Sequence, residues 1–209
     1  MKVELERVAP MEIEKRSFEI ITAELPHPID DALAPIIKRV IHTTADFEYA
    51  DSLCFSEDVL DRALQAIRDS AVIVTDTTMA LSGINKRALA RHGCEARCFI
   101  ADADVAEHAT AEGTTRAVAA MEKAASIDRP LIFAIGNAPT ALVHIYEMIC
   151  EGRLMPRLVI GVPVGFVNVV QSKELIMTAD VPYIVARGRK GGSNVAAAIC
   201  NALLYMLGR

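Results

Sequence analysis

Five short apolar runs, set apart by stretches with helical spacing, constrain this chain more than any other feature of its sequence. They are 71–75 (AVIVT), 96–100 (ARCFI), 131–135 (LIFAI), 158–162 (LVIGV) and 183–186 (YIVA). Each has the length and near-continuous hydrophobicity of a strand buried on both faces. Helical patterns lie near 57–69, 82–92, 113–126, 139–152, 172–179 and 192–207, and two more precede the first run, at 12–24 and 30–43. In the second of these, Leu33, Ile36, Ile37, Val40 and Ile41 recur at spacings that make one buried stripe. Strand–helix alternation of this kind predicts an α/β fold. Its centre is a parallel, Rossmann-like sheet of about five strands with helices on both faces. No repeat, low-complexity tract or long linker interrupts the pattern, so residues 1–209 read as a single domain.

Composition narrows the function classes. Hydrophobic residues make up 52% of the 209 residues and charged ones 23%, which argues for a large core and against disorder. Aromatics reach 5% with no Trp, so stacking platforms for single strands are not supplied, and the net charge of −5 disfavours a phosphate-backbone binder; no nucleic-acid partner is expected. The most apolar window, 195–207, is broken by Asn201 and is too short to span a bilayer, so no membrane partner is expected. The N-terminus MKVELERVAP is charged from the start, unlike a secretory signal, which makes a cytoplasmic location the expectation. Five cysteines in odd number, with no C-x-x-C pair, read as reduced and mostly buried small hydrophobes.

In parallel sheets, ligands sit beyond the carboxyl ends of the strands. The residues following the five runs are Asp76-Thr77-Thr78-Met79, Ala101-Asp102-Ala103-Asp104, Gly136-Asn137-Ala138-Pro139-Thr140, Pro163 to Asn168 running on to Ser172-Lys173-Glu174, and Arg187-Gly188-Arg189-Lys190-Gly191-Gly192-Ser193-Asn194. The last is a basic glycine turn opening a helix, suited to an anion of any kind, carboxylates included; a tight turn with solvated charges is the plainer reading. Neither G-x-x-x-x-G-K-[ST] nor G-x-G-x-x-G occurs, so a nucleotide-binding domain is disfavoured. Asn137-Ala-Pro-Thr reads most simply as a helix start with Pro in the first turn. Among the histidines, His27 lies between prolines and His108 in a polar loop, His92 precedes Gly93 at a helix end, and His144 has a packing position. None has metal-ligand spacing, so no metal site is expected. His42 differs: it ends the second helix with Arg39 one turn back on the same face, and together they could anchor an anion and move a proton. A helix-end histidine favoured by the dipole is the bland alternative.

Taken together, these segments resemble the precorrin-8X methylmutase family of cobalamin biosynthesis, including its cobalt-precorrin-8 branch. The resemblance is carried by Glu14-Lys-Arg-Ser17-Phe18-x-Ile20-Ile21, Arg39-Val-Ile-His42, Asp76-Thr77-x-Met79 with Gly83, and Gly113-x-Thr115-Arg116. It continues through Gly136-Asn-Ala-Pro-Thr-Ala-Leu142, Gly161-Val-Pro-Val-Gly-Phe-Val167 with Glu174, and Arg187-Gly-Arg-x-Gly-Gly-Ser193. The segments keep the family's order and span nearly the whole chain.

What the resemblance implies is an isomerase without cofactor that moves a methyl group from C-11 to C-12 of the macrocycle, giving hydrogenobyrinic acid or its cobalt counterpart, cobyrinic acid. The family's catalytic histidine matches His42, which would protonate or hydrogen-bond a ring nitrogen; an imidazole of ordinary pKa, about 6.5, suits that exchange. Family substrate contacts map onto Ser17 and Arg39. By motif position Arg116, Thr77, Asn137, Arg187, Gly188, Gly191, Gly192 and Ser193 are further candidates for holding the carboxylates of a tetrapyrrole polycarboxylate. A homodimer is expected from the same resemblance. A corrinoid-binding or product-carrier protein without turnover is the alternative.

Overall fold

The computed structural model describes residues 6–208. Its centre is a six-stranded sheet in the order β1-β6-β5-β4-β2-β3. The strands are β1 (Leu53–Phe55), β2 (Val72–Thr75), β3 (Glu95–Arg97), β4 (Leu131–Ile135), β5 (Leu158–Gly161) and β6 (Tyr183–Ala186). β2 to β6 are mutually parallel, while β1 pairs antiparallel with β6 in the register Leu53↔Ala186. All five expected strands are present; the sixth, β1, is three residues long and too short for an apolar run to reveal it. The second run ends early: β3 stops at Arg97, and Phe99 and Ile100 turn inward instead to pack on the core.

The strands alternate faces as the pleat requires. Ile73, Ile132, Ala134, Ile160 and Ile184 face one core layer, whereas Val72, Val74, Phe133, Val159 and Val185 face the other. The first layer is covered by α2 (Ala34–Thr44), α4 (Val59–Arg68), the short α5 (Thr78–Gly83) and α6 (Lys86–Arg91), and α11 (Ser193–Met206). On the second lie α7 (Ala103–Ala111), α8 (Arg116–Ala125), α9 (Pro139–Cys150) and α10 (Val169–Ile176). α1 (Ile13–Glu24) packs outside α2, and α3 (Tyr49–Ser52) leads into β1. α11 is apolar nearly all round, with Val195, Ala196, Ile199, Cys200, Leu203 and Leu204 buried between sheet and α2. Such a helix is stable only as an interior element.

Three local differences from the sequence expectation concern helix boundaries. The pattern at 82–92 is two helices, because Asn85 caps α6 by accepting from the N–H groups of Arg87 and Ala88. Residues 103–111 form α7, so His108 lies exposed on a helix and not in a loop. α10 starts at Val169, three residues earlier than expected, behind Asn168 in the left-handed region.

Gly136, at the end of β4, lies where a Cβ would stand 2.6 Å from the Ser193 Cα and 2.8 Å from its backbone nitrogen. Only glycine lets the β4–α9 turn and the start of α11 come this close. Gly136→Ala is expected to cost about 1–3 kcal/mol by forcing the two apart, read as a lower urea midpoint at unchanged slope. Ile199→Ala, which opens a hole in the middle of α11, should cost about 2–5 kcal/mol in the same measurement; a loss below 1 kcal/mol would contradict the interior position of that helix.

Candidate functional site

The strand order reverses between β2 and β4, and the crevice beyond their carboxyl ends is the usual ligand position in such a sheet. Here the protein fills it with its own carboxylate. Asp76, 2% exposed, accepts hydrogen bonds from the backbone N–H groups of Gly136 at 2.9 Å, Asn137 at 2.8 Å and Ala138 at 2.7 Å. Burial pushes this carboxyl above the usual carboxylate range while the three donors pull it down. The N–H groups that could cradle a nucleotide phosphate at this turn are therefore occupied. Next to Asp76, the Thr77 hydroxyl caps α5 by accepting the Ala80 N–H and lies 2.7 Å from the Ser193 hydroxyl. Thr77, Asn137 and Ser193 are thus neighbours across three strand ends, with the Asn137 side chain exposed and its N–H already taken.

The basic glycine turn joins the same rim. Its carbonyls point inward: the Lys173 ammonium donates to the oxygens of Gly188 at 2.9 Å and Lys190 at 2.8 Å, and the Gly165 N–H donates to that of Arg189 at 3.2 Å. Gly191 is locked against β5, since a Cβ there would meet the Val162 oxygen at 2.1 Å, and the Gly192 N–H donates to that same oxygen at 2.8 Å. Lys173 is fully buried, and burial lowers its ammonium to about 8. The Arg187 guanidinium is exposed and pairs with Glu174 at 3.0 Å. Arg189 lies over the Phe166 ring at 5.3 Å, beside the exposed Val164 and Val167. Arg116 opens α8 at this edge too, since the preceding Thr115 hydroxyl lies 3.3 Å from that of Thr140, in the first turn of α9.

Ser17, Arg39 and His42 form a second group on α1 and α2, arranged around Phe18. The Arg39 guanidinium sits 4.9 Å from the Phe18 ring centre and 5.1 Å from that of Tyr205, and the His42 ring lies 5.5 Å from Phe18. Arg39 is mostly buried and forms an ion pair with Glu14 through one terminal nitrogen, while its buried Nε has no hydrogen-bond partner among the described residues; with Lys38 and Tyr205 it lines an open hollow of about 560 Å³. The Ser17 hydroxyl donates to the Ile13 carbonyl one turn back. His42 is exposed in the last turn of α2, which ends at Ala45 in the left-handed conformation. The two groups are tied by Lys190, whose ammonium reaches Asp46 at 2.6 Å and Glu48 at 2.8 Å in the segment that follows His42. That pair holds the Asp46 carboxyl below its ordinary value.

The remaining expectations fare unevenly. His27 is exposed and bonded to Asp51 at 2.7 Å, while His144 bridges helices through Glu122 at 2.7 Å and Glu147 at 3.2 Å. All five cysteines are free; Cys94 and Cys200 are buried, Cys54 and Cys98 half-buried and Cys150 exposed on α9, so the expectation of mostly buried thiols fails. Among the described residues no group of three or more His, Cys, Asp or Glu could hold a metal ion, and no helix is long and apolar enough to cross a membrane.

Sequence reading placed Asp76, Lys173 and Lys190 at the strand-end rim but gave none of them an individual role. Lys173 left a signal: Val169, Ser172, Lys173 and Ile176 follow the spacing of a buried stripe, and all four are buried. Setting the helix at 172–179 hid that register.

The model of the precorrin-8X methylmutase family matches residues 12–206. The cobalt-precorrin-8 methylmutase of Salmonella typhimurium is 48% identical over 95% of this chain and 96% of its own length. That of Priestia megaterium is 47% identical over 94% and 88%. The precorrin-8X methylmutase of Pseudomonas aeruginosa is 37% identical over 91% and 93%. A solved precorrin-8X methyl mutase from Thermus thermophilus superposes with a TM-score of 0.85 at 39% identity, covering 93% of this chain and 96% of that one. With its fold and residues 12–206 matched in this way, the chain belongs to the precorrin-8X methylmutase family.

Proposed function

We propose that this enzyme is an isomerase of cobalamin biosynthesis acting on precorrin-8X or its cobalt form, moving a methyl group from C-11 to C-12 to give hydrogenobyrinic acid or cobyrinic acid. The observation that carries this reading is His42, exposed at the end of α2 and tied through Asp46 and Lys190 to the basic glycine turn. A proton-transferring group and an anion-holding turn thus share one edge of the molecule.

The reaction is intramolecular. The methyl–C-11 bond breaks as the methyl–C-12 bond forms, the ring double bonds shift, and no atom is gained or lost. Such a rearrangement needs the macrocycle held still and its π-system polarised. His42 would supply the second by donating a proton or hydrogen bond to a ring nitrogen and taking it back. Arg187, Arg116 and the turn Gly188 to Ser193, with Gly191 and Gly192 in it, would hold peripheral carboxylates through guanidinium forks and backbone N–H groups. Thr77 and the Asn137 side chain are placed to add neutral hydrogen bonds. Ser17 and Arg39 would add contacts beside His42, each keeping an internal partner as Arg187 does. The exposed apolar side chains of Met79, Val164, Phe166 and Val167 offer the flat face of a macrocycle a dry surface at the same rim. The names of the relatives at 47% and 48% identity favour the cobalt-containing substrate as the first to test.

A homodimer completes the reading. Met11 and Ile13 stand 91% and 53% exposed around the start of α1, which also carries Phe18 beside His42. A second copy covering them would bury that flank of the site.

An absorbance time course with both macrocycles tests the assignment. Wild type is expected to convert at least one of them, and His42→Ala to lose about 100-fold or more in turnover while still binding product. A spectral change that saturates stoichiometrically and is identical in both proteins would mean a corrinoid carrier. For the dimer, dilution monitored by sedimentation should lower specific activity as monomer appears; full activity in a verified monomer would refute it.

A further inference from the structure

From the turn geometry we infer that Lys173 is a positioning residue, which fixes the glycine turn 188–191 with its carbonyls inward and its N–H groups toward bound carboxylate. The inference rests on the function proposed above and adds to it the device by which the anion-holding turn keeps its shape.

A lysine rarely occupies a core-stripe position, because removing an ammonium from water is costly unless it is paired. Lys173 takes that position on α10 and has no carboxylate partner among the described residues. Its hydrogen bonds go to two carbonyl oxygens of one turn, Gly188 at 2.9 Å and Lys190 at 2.8 Å. The carbonyl between them is held by the Gly165 N–H at 3.2 Å. Three successive acceptors are therefore drawn to the protein side, which removes the groups that would repel an anion. Among the described residues, the N–H groups of Gly188, Arg189, Lys190 and Gly191 have no protein acceptor. The buried charge lies directly beneath them, in surroundings of low polarity where its field is weakly screened. Its side chain is fully buried, so water gives it little relief. The Lys190 side chain leaves the same turn to reach Asp46 and Glu48.

Lys173→Met keeps most of the side-chain volume and removes charge and donors. It is expected to raise KM for the macrocycle, and Kd for the product measured by absorbance titration, about tenfold. kcat should stay within about twofold, because His42 and its ring contact are untouched. Lys173→Arg, which retains charge and donors, should recover most of the lost affinity if it melts within a few degrees of wild type. A folded Lys173→Met protein with unchanged KM and Kd overturns the assignment, as does a loss confined to kcat. Should Lys173→Met fail to fold, hydrogen exchange on wild type decides: product must slow exchange of the amides at 188–191, and unaltered exchange under saturating product refutes the proposal. Wild-type turnover in the same assay separates these failures from failure of the proposed function, since a chain that converts substrate with an unprotected turn is a methylmutase that holds its carboxylates elsewhere.

Discussion

The three hydrogen bonds to the buried Asp76 carboxylate hold the rest of the site in place. They bind the end of β2 to the turn after β4 across the reversal in strand order. With that turn fixed, Gly136 can lie against Ser193, and the first turn of α11 is set relative to the sheet. The Thr77–Ser193 hydroxyl contact then closes the arrangement. An unpaired carboxylate at this depth would cost far more than the net gain from the bonds it makes, so the turn has little freedom to move away.

The same interaction explains how a sheet of dinucleotide-binding architecture serves a different ligand. Elsewhere in such folds the strand-to-helix turn at the reversal presents bare N–H groups to phosphate. Here an internal anion has taken them, and the open basic surface is displaced by two strands to the turn after β6. There the Lys173 ammonium plays the opposite part to Asp76: one buried carboxylate gathers backbone donors, one buried ammonium gathers backbone acceptors. Two adjacent turns of opposite polarity result, and only the second is left with donors facing outward.

Much of this was legible in the sequence, for reasons that differ by element. The parallel strands announce themselves because burial on both faces leaves no room for polar residues, as at 131–135. β1 was not legible: three residues at a sheet edge carry no period, and its pairing is decided by β6, more than 120 residues away. The rim motifs could be read as a set of small and basic residues, but not their division of labour. That the Asn137 N–H belongs to Asp76, and that Glu14 and two aromatic rings flank Arg39, could not be read there. Such pairings depend on contacts distant in sequence, which spacing along one helix cannot reveal. Lys173 was hidden by a three-residue error in where a helix begins.

The antiparallel β1–β6 pair has a consequence for how the protein comes into being. It fixes the segment after His42 and the start of the glycine turn to one another, through Leu53 opposite Ala186 and the Arg187 N–H on the Ser52 carbonyl at 2.7 Å. The two halves of the rim therefore meet through a contact of very large sequence separation, the kind that forms late in folding. On the ribosome, β2 to β5 can associate while the C-terminal segment is still unsynthesised. α2 would meanwhile expose the apolar stripe that α11 later covers. The nascent chain carries a nearly finished sheet and no site until its last two elements, β6 and α11, arrive.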